Sequence, residues 1–207
     1  MRLRAPLSRV RATPGFRVAV CVLICLGGRL APPFLLAAAL HELGHLAALR
    51  LLGIPVRGLE LTASGAVLRA ELRGTLRETW AVLAGPAVNL ALALCFRRLW
   101  PVFALCNAIQ LAANLLPVPG LDGGRACAMI LPALLGRAGA WVCAGLGWAV
   151  ILGAVFLGVY GTCCLRLGLL PVLAAGFFLL RLPWDLPNRA GADIIERQNP
   201  SNCEENQ

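Results

Sequence analysis

The chain has 207 residues, of which 59% are hydrophobic and 14% charged, against about 25% charged in an ordinary soluble domain. A soluble fold of this size cannot hide so much apolar surface, and the same composition excludes disorder for the bulk of the chain. A membrane-crossing helix takes roughly 20 apolar residues, so six would use about 120. These figures fit a small all-α polytopic membrane protein with little room for a soluble domain.

The inventory of reactive groups is short. All 19 basic residues are Arg, so a Ser–Lys dyad, a Schiff-base lysine and a Walker-type phosphate lysine are excluded. The sequence holds two His, His41 and His45, and three Asp, Asp122, Asp185 and Asp193. The net charge of +9 reads as cytoplasmic loops facing anionic lipid, and no nucleic-acid partner is expected. Most of the nine Cys lie inside apolar runs without zinc-ribbon spacing, and they read as small buried hydrophobes.

In chain order, residues 1–17 form a basic N-terminal segment carrying Arg2, Arg4, Arg9, Arg11 and Arg17 and no acid. Val18 to Leu26 is apolar and reads as a first, retained span; a second runs from about Pro33 to Leu52. Between 53 and 78 the charge rises and Gly53, Pro55, Gly58, Gly65 and Gly74 punctuate the chain. Leu59–Ala63 alternates, Ser64-Gly65 offers a turn and Ala66–Ala70 follows. This predicts a short β-hairpin within about 54–72, between the second and third spans.

The third span covers about Trp80 to Phe96. The fourth begins near Trp100 and meets Pro117 and Pro119, which must break or kink it, before apolar sequence resumes to about Leu135. Two more spans follow, about Ala140–Tyr160 and Leu165–Leu182. They complete a domain over 18–182, and the polar tail 183–207 is expected to be unstructured. With the N-terminus inside, fourteen Arg fall on the cytoplasmic side and four on the other. That count puts both termini and the hairpin in the cytoplasm.

Ionisable groups inside a span are costly and mark function. The second span holds His41-Glu42-Leu43-Gly44-His45. Positions i and i+4 share a helical face, so both imidazoles can grip one metal with Glu42 beside them as general base. A third protein ligand is usual. Glu60, Glu71 and Glu78 lie in the polar hairpin region, and Asp122 is the only acid of the later apolar part. Asp122 is the expected ligand. It ends Asn114-Leu115-Leu116-Pro117-Val118-Pro119-Gly120-Leu121-Asp122, where proline and glycine let backbone leave the helix, as is tolerated at membrane depth only inside protein or a wet cavity. A Glu ligand, Glu71 first, remains the alternative. Ala84-Gly85-Pro86-Ala87-Val88-Asn89 suits close helix approach, and Asn89 needs a partner in the membrane.

Three motifs stand in order: HExxH at 41–45, a GPxxN-like stretch from Gly85 to Asn89, and an NxxPxPxxDGGR-like stretch from Asn114 to Arg125. Together they resemble the site-2 protease family of intramembrane zinc metalloproteases. The compact form, without a PDZ insertion, is most similar to the branch of the stage IV sporulation protein FB. The resemblance implies one zinc ion per chain held by His41, His45 and Asp122, with Glu42 catalytic and Asn89 and Asn114 near substrate or oxyanion. It implies cleavage of a membrane-tethered protein substrate in regulated intramembrane proteolysis in a bacterial cytoplasmic membrane, with a regulatory membrane protein as a further partner. A non-proteolytic metal-binding or metal-transport protein using the same ligands is the competing reading.

Overall fold

The structure, a computed structural model, describes residues 10–62, 65–70, 76–164 and 176. The segments 1–9 and 183–207, the expected sixth span at 165–182 and Glu71 lie outside the described residues, residue 176 apart. The chain forms two units, Met1–Leu115 and Leu116–Gln207.

The first unit opens with a strand, β1 (Val10–Ala12), and helix α1 (Pro14–Gly27). Thr13 caps α1, its Oγ1 accepting from the amide of Phe16 at 3.3 Å, and Pro14 supplies a preset first turn. A single 3-10 turn leads into α2 (Ala31–Leu51), whose first turn again holds proline. Gly53, at φ +70, turns the chain out of α2. The predicted hairpin follows as β2 (Val56–Thr62) and β3 (Gly65–Ala70), antiparallel, with Glu60 opposite Val67 and an irregularity at Val56/Gly58. β1 pairs in parallel with β2, Arg11 opposite Glu60, giving the strand order β1-β2-β3. The basic N-terminal segment thus contributes a strand, where the sequence reading named no element.

Helices α3 (Leu76–Phe96) and α4 (Pro101–Asn114) complete the unit. Its core joins Ala37, Phe103 and Cys106, with Phe34, Leu40, Leu92 and Phe96 packed around them. Gln110 Nε2 donates to the carbonyl of Phe34 at 2.8 Å, a polar tie between α4 and α2.

The second unit holds the irregular segment from Leu116 to Leu121, α5 (Asp122–Leu135) and α6 (Arg137–Cys163). The expected fourth span is therefore divided into α4 and α5, as Pro117 and Pro119 demand. Gly120 takes the left-handed region at φ +89. The segment is held tightly: a Cβ on Gly124 would collide with the carbonyl of Val118, and one on Gly147 would lie 3.1 Å from the carbonyl oxygen of Pro117. Val118 and Ile151 form this unit's core, flanked by Leu116, Leu121 and Trp148.

Among the described residues, three helices are long and apolar enough to cross a membrane: Gly28–Leu51 with its 3-10 turn, Glu78–Phe96 and Arg137–Cys163. At 14 residues each, α1, α4 and α5 extend about 21 Å, short of the roughly 30 Å hydrocarbon core. The helices turn apolar side chains outward, so that Ile151 is enclosed while Leu152, Phe156 and Leu157 are exposed. Trp80, Trp100, Trp141 and Tyr160, at or near helix ends, are also exposed, as suits aromatic rings at a membrane interface. The chain is a polytopic, mostly helical membrane protein.

Candidate metal centre

His41 and His45 stand one turn apart on α2, both buried. Their rings meet edge to face, centroids 4.7 Å apart, and their Nε2 atoms are separated by 3.1 Å. Two nitrogen ligands about 2.0–2.1 Å from a tetrahedral zinc ion stand about 3.3 Å apart. The pair therefore has close to the spacing that one ion requires.

Each ring is held from α3. His45 Nδ1 donates to the carbonyl of Ala81 at 2.9 Å. His41 Nδ1 faces Asn89 Nδ2 at 3.1 Å. Asn89 is fully buried and its Oδ1 has no hydrogen-bond partner among the described residues.

Small residues permit the approach. A Cβ on Gly44 would lie 2.8 Å from Val88 Cγ2 and 3.0 Å from the carbonyl oxygen of Ala84. A Cβ on Gly85 would collide with His45 Nε2 and stand 2.7 Å from His41 Cε1. Gly85 is thus the gap into which both imidazoles project. Pro86 next to it deprives Val82 of the amide that would bond its carbonyl in a regular helix.

Glu42 is half-buried on α2. Asp122, in the first turn of α5, is buried. Among the described residues, His41, His45 and Asp122 form the group of ligating side chains that could hold a metal ion, and all three are buried. Glu78 is buried in the first turn of α3 and is outside that group. Asn114, the last residue of α4, is half-buried.

One partner of the His pair has no signal in the sequence: the carbonyl of Ala81 is backbone, which no residue type announces. Asn107 and Gln110 are buried on α4, Asn107 donating to the carbonyl of Phe103 at 2.8 Å. With Asn114 they make an amide stripe at helical spacing, which the sequence shows but the sequence reading passed over.

No protein-family model and no curated protein matches the sequence. Among solved structures the chain is similar to the site-2 protease from Methanocaldococcus jannaschii, with a TM-score of 0.63 and 20% identity over 86% of this chain and 90% of that one. The fold is that of a site-2 protease. A site-2 protease fold and a buried His-His-Asp group thus occur in one chain, and the fold comparison does not depend on the three sequence motifs.

Proposed function

We propose that the chain is an intramembrane zinc metalloendopeptidase that hydrolyses a peptide bond in or near a transmembrane segment of a membrane-tethered protein. The observation that carries this reading is the buried His41, His45 and Asp122 group in a chain with the site-2 protease fold. Two imidazoles and one carboxylate form a donor set suited to a catalytic zinc with one position open for water or substrate. The motifs favour the compact branch of the stage IV sporulation protein FB within that family.

His41, His45 and Asp122 would hold the zinc ion, which would supply Lewis acidity towards the scissile carbonyl and lower the pKa of water towards neutrality. Glu42, adjacent to His41, takes the proton of the attacking water and returns it to the leaving amine. Asn114 is assigned to the substrate side. Asn89, enclosed against His41, is assigned to the ligand itself. The excess of Arg on one side supports a cytoplasmic position for both termini, and the family resemblance supports a bacterial cytoplasmic membrane. His41 lies nine residues before Arg50, roughly 13 Å along α2, so a cleft open to that side brings water to it over the shorter path.

The test uses the purified full chain in detergent with a membrane-tethered substrate. Glu42→Gln should retain zinc and lose cleavage by about 10²–10⁴-fold, the contribution of a positioned general base. A metal transporter has no use for a base at this position, so zinc flux in liposomes that survives Glu42→Gln, with no cleavage by the parent, would replace the protease reading.

A further inference from the structure

The hydrogen bonds around the His pair conflict with metal ligation in a way that points to Asn89. The carbonyl of Ala81 can only accept, so His45 carries its proton on Nδ1 and leaves Nε2 bare. The 3.1 Å contact between the two Nε2 atoms then needs the proton of His41 on Nε2. His41 Nδ1 is in that case an acceptor, and Asn89 Nδ2 donates to it. The chain of bonds is consistent, but it protonates the ring nitrogen that faces His45. A neutral imidazole that ligates a metal through Nε2 carries its one proton on Nδ1 instead. In that form Asn89 Nδ2 and His41 Nδ1 would be two donors facing each other.

Turning the Asn89 amide by a half-rotation removes the conflict. It exchanges Nδ2 and Oδ1, which have nearly the same shape, and brings Oδ1, without a partner among the described residues, opposite His41 Nδ1. In either orientation one end of the amide faces His41 and the other does not. The amide's own hydrogen bonding therefore does not choose between them, and the His41 tautomer does.

We infer that Asn89 is a positioning residue for His41, its Oδ1 accepting from Nδ1–H and so reserving Nε2 for the metal. This parallels the carbonyl of Ala81 at His45, so both ligand rings are oriented from α3. The inference rests on the proposed metal site and assigns the residue that fixes the tautomer of one of its ligands.

The test is cobalt(II) and zinc binding to the full chain in detergent, with no substrate present. Asn89→Leu keeps the volume and loses the acceptor; its metal affinity should fall about 10–100-fold, the usual effect of removing such a partner. Asn89→Asp, which can only accept when ionised, should bind at least as tightly as the parent. The sequence has two His in all, so nitrogen-15 spectra of the zinc-loaded protein should show both Nδ1 atoms protonated, with Asn89→Leu moving the His41 signal alone. Equal affinity in parent and Asn89→Leu would overturn the assignment, as would Asn89→Asp losing metal as Asn89→Leu does. If Asn89→Leu does not fold, Asn89→Asp decides. A parent that binds neither cobalt nor zinc would overturn the metal site itself.

Discussion

His45 Nδ1 donates to the carbonyl of Ala81 across 2.9 Å, from α2 to α3. One turn along α3 from Ala81, Gly85 sits against both imidazoles. The same two helices thus fix the direction of one imidazole and leave the space that both rings fill. A rigid ring held by a backbone acceptor cannot retreat from an added methyl group without breaking that bond.

Gly85→Ala is therefore expected to lose metal rather than merely weaken packing. Its Cβ would collide with His45 Nε2, the atom proposed to ligate, and crowd His41 Cε1. Metal affinity should drop at least tenfold, read by cobalt titration. Gly145, where a Cβ would meet nothing within 4 Å, is the control: Gly145→Ala should bind as the parent does.

Asp122→Asn and Glu78→Gln separate the third ligand from its acidic rivals. Both acids are buried in the first turn of a helix, so burial alone does not distinguish them. The proposed ligand set does: Asp122→Asn should abolish stoichiometric zinc, measured by elemental analysis after desalting, while Glu78→Gln should retain it. The reverse pattern, or loss in Glu71→Gln alone, would move the third ligand to a glutamate.

Much of this arrangement was open to sequence reasoning because chemistry and periodicity coincide in α2. His41 and His45 are the only imidazoles, and i, i+4 spacing puts them on one face. Pro117, Pro119 and Gly120 likewise announce the break before Asp122. Other features carry no such signal. β1 spans three residues, too few for a period-2 pattern, and its pairing with β2 is a tertiary contact. The prolines reveal that α4 and α5 separate, but not that Gly124 and Gly147 press on the segment between them. The Asn89 side chain reads as one needing a partner; that the partner is His41 Nδ1 depends on the packing of α3 against α2.

Gly124→Ala tests that pressed segment. Its Cβ would strike the carbonyl of Val118, and backbone cannot swing aside as a flexible side chain can. Overpacking of this kind costs about 1–3 kcal/mol or more, so thermal unfolding in detergent should begin at a lower temperature. Because the displaced segment leads directly into Asp122, zinc should be lost at temperatures where the helices remain folded by circular dichroism. Unchanged unfolding and full zinc content would show that the segment yields freely.

Strand order gives the last prediction. β2 is paired on both sides, by β1 and β3, whereas β3 is paired with β2 alone among the described residues. An edge strand offers amides and carbonyls to an extended peptide, and hydrolysis requires the substrate helix to unwind into such a form. Proline removes one backbone donor. Alternate residues of a strand direct their amides to opposite sides. A proline scan from Gly65 to Ala70 should therefore give an alternating result. Substitutions on the outward-facing amides should lower cleavage several-fold with zinc content intact, and those facing β2 should also disturb the hairpin. Normal cleavage at every folded position would remove β3 from substrate capture and leave the zinc ligands and Glu42 unaffected.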